Sequence, residues 1–526
     1  MSKINISNMS FAYDGSSETI FENVTLNLDS SWKLGLVGRN GRGKSTFLKL
    51  LSGELETNAG SISFSNKTVR FPFEIADESI YVLNVIKESV GGFYTKECEM
   101  KRLTEVDDDA SRMAYADLTN DYYEQGGYEL EAKIAKELSS MNLDSTILDR
   151  IYAGLSGGEK TKIRIISMFL QDDNFLLIDE PTNHLDIYAR VELSEYLKSK
   201  TGYILVSHDQ EFLETTVDHI LSINKKSITV SKCKFNEWLE NKENHEKNEM
   251  MRKGEYQKEI KKLEGSSVRM RSWAGHREIT KRAGIDSGYA GKMSAKLMKR
   301  AIALEKRKEK RVEEIKGMLA DYEIHKTLEI KQDKLLSRKY MSIRNLSFGY
   351  TRKKILDNVS FDINQGDRIW IKGGNGVGKT TLLNLIEGKL KPDSGLVKKH
   401  QDIRIIHSIQ EPHHSDLTVD EYRRNSLSDE TIFNTILDYF DMSTDYLSKP
   451  LKNLSSGELK KIEIAKSLSN RSEIYLWDEI LNFMDIQFRL QMEEAILRYE
   501  PTIIFISHDE AFSKKIATKI VEVKAL

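Results

Sequence analysis

The sequence predicts an α/β fold made of two tandem copies of one strand–loop–helix domain, joined by a long α-helical hairpin linker. Three observations carry that prediction. An apolar strand-like run followed by a glycine-rich loop and a lysine occurs twice, as LGLVGRNGRGKST and IWIKGGNGVGKTT. Each copy is followed by the same short motifs in the same order, and an ordered internal repeat is stronger evidence of architecture than any single motif. Between the copies, the stretches Glu237–Glu264 and Ser294–Tyr322 are rich in Glu, Lys, Leu, Met and Ala and contain no proline, a composition suited to long helices.

A chain of 526 residues is long enough for several domains, each with its own core. Its net charge is only −2, but the charge is unevenly placed. The segment Arg269–Arg311 carries fourteen Lys and Arg against Glu278, Asp286, Glu305 and Glu309. Such a run repels itself, and it is either a solvated linker or the binding face for a polyanion. Gly275, Gly284, Gly288 and Gly291 punctuate it, which suggests a broken tip between two helices. Cys98 and Cys233 are isolated and supply neither a disulfide framework nor zinc spacing, which fits a reducing cytosol. The start MSKINISNMSFAYDG lacks a signal-peptide pattern. No apolar run reaches the roughly 18–20 residues that span a bilayer. The expected location is therefore cytoplasmic, and a membrane role would need a separate subunit.

The first copy is expected over residues 1–232, with a helical hairpin arm inserted at about 95–138, from Thr95 to Leu138. Its loop has the G-x-x-x-x-G-K-S spacing of a P-loop, placed between a buried strand and a helix. Gly38, Asn40, Gly41 and Gly43 let backbone N–H groups turn inward on phosphates. Lys44 reaches the β and γ phosphates, and Ser45 and Thr46 open the helix, where Ser45 can ligate Mg²⁺. In FLLIDEPTNHLD an apolar strand ends in Asp179, placed to hold Mg²⁺, and Glu180, placed to polarise an attacking water. The strand YILVSHD brings His208 to the same edge, a position suited to sensing a γ-phosphate. In LSGGE, Ser156, Gly157 and Gly158 open another helix and offer a second anion site.

The second copy is expected over 339–526, and residues 233–338 form the linker, its basic tip at about 269–311. This copy supplies Gly373, Asn375, Gly376, Gly378, Lys379, Thr380 and Thr381 from its P-loop, and Ser455 and Gly457 from LSSGE. The strand IYLWDE supplies Asp478 and Glu479, and FISHDE supplies His508.

P-loop, LSGGE, DEPTNHLD and SHD in this order resemble the ATP-binding cassette (ABC) family. The resemblance implies a fold of two tandem ABC-type P-loop ATPase domains, with ATP and Mg²⁺ as cofactors. It implies that each LSGGE-type segment completes the ATP site of the opposite copy. Site one then pairs Lys44, Asp179 and Glu180 with Ser455 and Gly457. Site two pairs Lys379, Asp478 and Glu479 with Ser156 and Gly158. Tyr13 and Tyr350 match the family's adenine-stacking aromatic, Glu180, Glu479, His208 and His508 its catalytic groups, and Ser45, Asp179, Thr380, Gln410 and Asp478 its Mg²⁺-side groups. There are departures. The family's Gln is Gln410 in the second copy, but in the first, VRFPFEI puts Phe73 or Glu74 there. In the second copy Ile480 replaces the usual Pro, and LNFMD replaces TNHLD.

Two cassettes in one chain around a helical linker resemble the ABC-F ribosome-binding ATPases, and the opening segment, the first P-loop and DEILNFMD look closest to their Lsa/Vga-type antibiotic-resistance group. That resemblance implies a 70S ribosome partner, with large-subunit rRNA and P-site tRNA contacted by the linker from the E site, no membrane subunit, and a monomer off the ribosome. The RNA-facing residues would be Arg269, Arg271, Trp273, His276, Arg277, Lys281, Arg282, Tyr289, Lys292, Lys296, Lys299 and Arg300. The implied activity is ATP-dependent displacement of lincosamide, pleuromutilin and streptogramin A antibiotics. A housekeeping ABC-F translation factor would share every motif. A transporter motor is the alternative of a different class.

Overall fold

In the computed structural model of the chain all residues are described except 1–2, 16–18, 65–66, 107, 172–173, 184, 225–226, 246, 249–250, 252–305, 307–309, 311–327, 351–352, 375, 409–415, 441, 482–483 and 525–526. The chain divides into two compact units. One is Met1–Asn236 with Thr327–Leu526, and holds both copies of the repeat; the other is Glu237–Lys326. In the second unit the described residues 237–245, 247–248, 251, 306 and 310 are helical. The expected basic tip lies outside the described residues.

Each copy is built from two sheets. In the first copy, β1 (Lys3–Phe11), β2 (Phe21–Asp29) and β4 (Ala59–Phe64) form an antiparallel sheet in the order β2-β1-β4. The other sheet contains β3 (Lys33–Gly38), β5 (Lys67–Phe71), β6 (Asn174–Asp179), β7 (Tyr203–Val206), β8 (His219–Ile223) and β9 (Ile228–Ser231), in the order β5-β6-β7-β3-β8-β9. The second copy repeats the plan. β10 (Lys339–Tyr350), β11 (Lys353–Asn364) and β13 (Ser394–Lys399) form the sheet β11-β10-β13, and β12 (Arg368–Lys372), β14 (Ile405–Ser408), β15 (Ile474–Asp478), β16 (Ile503–Ile506) and β17 (Lys519–Glu522) form β14-β15-β16-β12-β17.

The sequence explains the two kinds of strand. β1 alternates buried Ile4 and Ile6 with exposed Lys3 and Asn5, the period of a half-buried antiparallel strand. The central runs FLLI, YILV, IYLW and IIFI are apolar throughout, because parallel strands are covered on both faces, and these residues are buried. One core of each copy gathers the inner faces of both sheets and the P-loop helix. It contains Phe47, Leu48 and Leu177 in the first copy and Leu382, Leu383 and Leu476 in the second.

The repeat extends to backbone detail. Asn8 and Asn345 both have φ of 48°, at matching register shifts in β1 and β10. Asn23 and Asn358 both have φ of 51°, and each donates its N–H to a serine hydroxyl of the neighbouring strand, Ser10 or Ser347. Asparagine tolerates this left-handed region better than most residues.

The arm consists of three helices, Phe93–Thr104, Asp109–Glu124 and Gly127–Ser140, where the sequence suggested a simple hairpin from about Thr95 to Leu138. Polar anchors tie these helices to the cassette. Lys87 pairs with Glu97 at 2.8 Å and Glu131 at 2.6 Å, and the Tyr122 hydroxyl donates to Glu97 at 2.6 Å.

Gly60 and Gly395 occupy matching places, at φ of 81° and 91°, and a Cβ would lie 2.3 Å from the Asn8 carbonyl oxygen or 2.4 Å from that of Asn345. Both faults fall on backbone, so neither site can relax cheaply. Gly60→Ala is expected to lower stability by ~1 kcal/mol or more, read as a fall in the thermal midpoint; an unchanged midpoint would show that the strand pair can shift at no cost.

Candidate nucleotide sites

In an open parallel sheet, ligands bind beyond the carboxyl ends of the strands. In each copy that edge carries the P-loop after β3 or β12, a carboxylate pair after β6 or β15, and a histidine after β7 or β16. Neighbouring strands β6-β7-β3 and β15-β16-β12 therefore bring Lys44, Asp179, Glu180 and His208 together in one copy, and Lys379, Asp478, Glu479 and His508 in the other.

The P-loops hold their lysines inward. Lys44 Nζ donates to the Gly38 carbonyl at 2.8 Å and to Asn40 Oδ1 at 3.0 Å. Lys379 Nζ donates to the carbonyls of Gly373 at 3.0 Å and Gly374 at 2.7 Å. Each loop passes into its helix through a left-handed glycine, Gly43 or Gly378, and a Cβ there would strike Ile20 at 2.6 Å or Ile355 at 2.4 Å. Close approach of the loop end to the start of β2 or β11, together with the left-handed backbone, thus favours glycine and leaves the helix N-terminus open to an anion. Gly41 and Gly376 share the left-handed conformation within the loops. Ser45 and Thr380 are exposed at the helix starts, whereas Thr46 and Thr381 are buried. Tyr13 donates to or accepts from Thr46 Oγ1 at 3.1 Å and meets Phe11 edge-on; Tyr350 meets Phe348 edge-on. Both tyrosines are about half exposed (43% and 49%), which leaves a ring face open for stacking.

Glu180 and Glu479 are the most constrained groups. Both have left-handed backbone, at φ of 51° and 52°, and both backbone N–H groups are held by the next strand, through the Val206 carbonyl at 2.9 Å and the Ile506 carbonyl at 3.2 Å. A non-glycine residue in this region costs about 1–3 kcal/mol, and the same cost recurs in both copies at the carboxylate that lines the cavity between them. Each glutamate meets its histidine: His208 Nε2 lies 3.2 Å from Glu180 Oε1, and His508 Nε2 lies 2.9 Å from Glu479 Oε1.

The two pairs differ electrostatically. Burial raises Glu180 to about 7; Asp179 adds to the rise, and Lys44 and Arg489 oppose it. Burial also pushes Glu479 upward, but the His508 hydrogen bond and the charges of His508, Lys379 and Lys460 bring it net below the ordinary carboxylate range. Burial, aided by Lys44 and Arg489, holds His208 well below its usual value, so it stands as neutral imidazole.

Asp179 and Asp478 stand at the strand ends beside these glutamates. Burial raises Asp478, against a hydrogen bond from Thr380 that lowers it. One exposed hydroxyl and one carboxylate per site form a hard-oxygen set that fits Mg²⁺, with nucleotide phosphates supplying further ligands. Among the described residues no group of three His, Cys, Asp or Glu could hold a metal alone. Thr380 with Asp478 would hold Mg²⁺ in the second copy, and Ser45 with Asp179 are the corresponding groups of the first, where Arg70 also stands 3.5 Å from Asp179; Asn375 and Gln410 lie outside the described residues.

The sites are built across the junction of the two copies. A cavity of about 520 Å³ is lined from one side by Tyr350, Lys379, Thr380 and Glu479 and from the other by Glu180, Asn183, Arg190 and His208. Asp485 Oδ2 of the second copy accepts the Asn40 N–H of the first P-loop at 3.0 Å. Reciprocally, Asp186 Oδ2 approaches Gly374 of the second P-loop, and its charge reaches Lys379. Both aspartates also cap the helices that follow them, at Ala189 N and Phe488 N. The signature serines Ser156 and Ser455 each close a capping box with Glu159 or Glu458, opening the helices Gly157–Phe169 and Ser456–Ser469. Lys461 from the second of these helices acts on Lys44, while Ser156 and Gly158 do not line the cavity.

At the centre of the junction lie residues that the motif analysis did not single out. Arg190 Nη1 donates to Asp209 Oδ2 in its own copy and to the His508 carbonyl of the other, both at 3.1 Å. Arg489 Nη1 donates to Asp509 Oδ2 at 2.7 Å, and its charge reaches Glu180 and His208 across the junction. The signal was present in the repeat: D-I-x-x-R occurs at Asp186–Arg190 and Asp485–Arg489, and S-H-D at Ser207–Asp209 and Ser507–Asp509.

This arrangement defines a two-site P-loop ATPase. A family model described as "ABC transporter" matches residues 21–183 and 356–482, more than half of the chain. The chain belongs to this ATP-binding cassette family. It is similar to "ABC transporter F family member 2" of Arabidopsis thaliana, 27% identical over 550 residues that cover 99% of this chain and 76% of the relative. It is also similar to "Ribosome protection protein VmlR" of Bacillus subtilis (strain 168), 26% identical over 516 residues that cover 96% and 84% of the two chains. Among solved structures, the archaeal ribosome recycling factor aABCE1, in complex with the archaeal ribosomal stalk protein aP1, matches with a TM-score of 0.58 at 18% identity, covering 98% of this chain and 87% of that one; the likeness is one of fold.

Two predictions follow from the junction. Asp485→Ala loses a helix cap, worth ~1 kcal/mol, and the Asn40 contact, whereas Asp485→Asn can keep the cap while facing its amide N–H toward that of Asn40. Both should weaken nucleotide binding at site one in equilibrium titrations, but only the alanine variant should melt markedly earlier. The second concerns pH. Burial, then Asp509 across the junction, raise Asp209; Arg190, the Phe212 N–H and Arg489 oppose this without cancelling it. The folded group therefore binds its proton more tightly than the unfolded chain does, so its contribution to stability is full at acid pH and is lost as pH rises through its folded value. Asp209→Asn, which can still cap the next helix, should gain thermal stability relative to wild type as pH rises from the ordinary carboxylate range to neutral. A constant difference across that range would show that Arg190 fully compensates Asp209.

Proposed function

We propose that the chain is an ABC-F ATPase that binds the 70S ribosome in its ATP-bound closed state and protects it from antibiotics acting at the peptidyl-transferase centre. The observation that carries this reading is one of placement. Two complete ATPase copies, within one chain that resembles a ribosome protection protein over 96% of its length, flank a segment with fourteen Lys and Arg against four acids. A polycationic segment of this kind suits RNA phosphates. In this reading the linker enters the E site, Arg269 to Arg300 meet rRNA and P-site tRNA, and drug is displaced by pushing on tRNA and rRNA rather than by export. The protein works in the cytoplasm, without a membrane subunit, and is a monomer off the ribosome. Among the described residues, no helix is long and apolar enough to cross a membrane.

The chemistry supports a switch. Two nucleotides would join the copies through the composite sites, and loss of the γ-phosphate would release them. Mg²⁺ bound with ATP would stabilise charge on the transferring phosphoryl group. The chain's own part is to position Glu180 or Glu479 for the attacking water, and His208 or His508 beside it.

The test is co-sedimentation of the Glu180→Gln, Glu479→Gln double variant with 70S ribosomes, with and without ATP. Pelleting only with ATP is expected, and it should weaken steeply as salt rises, because phosphate contacts release counterions. No pelleting under any nucleotide condition would sink the ribosome reading. Expression of the wild-type protein in a susceptible host should then raise the inhibitory concentration of a lincosamide, pleuromutilin or streptogramin A. Ribosome binding without any such rise would assign a housekeeping role instead.

A further inference from the structure

The strand beside the metal-side carboxylate differs between the two copies. β5 pairs with β6 so that Phe71 faces Ile178, and β14 pairs with β15 so that Ser408 faces Trp477, in each case one residue before the strand-end aspartate. Counting along the sequence from this register puts Phe73 opposite Gln410, and Arg70 opposite His407. The first copy has therefore lost a side-chain oxygen and gained a guanidinium.

Arg70 is placed to use its charge. Nη1 grips both carboxylate oxygens of Glu54, at 3.2 and 2.9 Å, and Nη2 lies 3.5 Å from Asp179 Oδ2. The Arg70 side chain is 18% exposed and that of Asp179 is 13% exposed, so solvent screens the contact only partly. The Arg70 Nε is buried and has no hydrogen-bond partner. In the second copy His407 turns Nδ1 to Glu387 Oε2 at 2.6 Å, and its ring carries charge only when protonated.

A carboxylate at the floor of a nucleotide site must be paired when it is buried. In the second copy Asp478 takes a hydrogen bond from Thr380, and the charges of Lys460 and Lys379 reach it. In the first, a permanent cation already stands beside the carboxylate. That cation repels a divalent ion bound to the same aspartate, and Phe73 offers it no oxygen ligand. Both changes act in the same direction, while Lys44 and the P-loop N–H groups remain to hold phosphate.

We propose that Arg70 is a resident counter-cation for Asp179, so that site one binds ATP with little dependence on Mg²⁺ while site two requires the metal. Arg70 acts through Asp179 and is a positioning residue. The chain would then hold one nucleotide at site one under conditions that empty site two.

The experiment measures equilibrium binding of a fluorescent ATP analogue to two full-length proteins, Lys379→Ala, which leaves site one, and Lys44→Ala, which leaves site two. Each is titrated with Mg²⁺ starting from EDTA. Site two is expected to gain about tenfold or more in affinity from the metal and site one no more than about twofold, a difference of the size that one nearby unit charge can produce. Within the Lys379→Ala protein, Arg70→His should restore a site-two-like Mg²⁺ response, and Arg70→Lys should leave it flat. Glu54→Gln serves as the control for structure: it removes the ion pair that ties β5 to the end of the P-loop helix but leaves the charge at Asp179, so it should leave the Mg²⁺ response unchanged. Equal Mg²⁺ dependence of the two single-site proteins would overturn the proposal without recourse to any Arg70 variant. So would an Arg70→His protein whose response stays flat, or a Glu54→Gln protein that responds as Arg70→His does.

Discussion

The constraint on which the rest depends is that charged groups must be buried where the two copies meet. Catalysis on a phosphoryl group needs carboxylates, a lysine and histidines within a few ångströms and away from bulk water. Neither copy can bury them alone, because each edge opens at the ends of its own strands. The copies solve this by covering each other. Arg190 and Arg489, with Asp209 and Asp509, form paired charges at the centre, and one of those arginines spends part of its hydrogen-bonding capacity on the carbonyl of the opposite histidine. Removing one member of such a set leaves another charge buried and unpaired, the costly outcome for buried ions. The junction is therefore the seal of both sites.

Duplication sets the plan, and small substitutions separate the two halves. The left-handed asparagines, the left-handed glutamates and the capping serines recur at matching positions, so the backbone of the two copies is nearly one design. The differences fall on groups that touch charge. Glu180 is pushed up to about 7 by burial, whereas Glu479 is held down by its histidine and its neighbours. Arg70 stands where the other copy has His407. Ile480, where the first copy has Pro181, is buried in the apolar core of the second copy. A shared backbone with different local charges gives two sites of one geometry and two affinities for protons and cations, and such sites need not empty together.

Much of this was legible in the sequence, and the limits have physical causes. The P-loops, strand-end carboxylates and histidines could be read because local spacing determines their geometry: a glycine loop between strand and helix has few uses. The all-apolar central strands were legible for a similar reason, since burial on both faces leaves no polar positions. The arm was read as two helices and is three, although the sequence marks both breaks, with Asp107, Asp108 and Asp109 before the second helix and Gly126 and Gly127 before the third. The junction residues were not singled out. Arg190 and Asp209 lie nineteen positions apart and gain meaning only when Arg190 also reaches the second copy. Arg70 carries no motif of its own, and only the register of β5 on β6 brings its guanidinium beside Asp179.

The strained backbone of the glutamates serves the same constraint. A relaxed residue at that point would continue the strand direction and carry its carboxylate away from the edge. The left-handed turn, fixed by the N–H bonds to the Val206 and Ile506 carbonyls, instead holds each carboxylate against the histidine of the next strand. Because the anchor is the neighbouring strand, the position of the carboxylate is set by the sheet and not by the nucleotide. What the opposite copy changes is the charge around it, through Arg489 at Glu180 and His208. A switch that closes the junction, as proposed above, would therefore act on dyads that are already aligned, by excluding water and, at Glu180 and His208, by altering their electrostatics. That is the less costly way to make hydrolysis depend on closure, since no side chain at the reacting centre has to be repositioned against its own backbone.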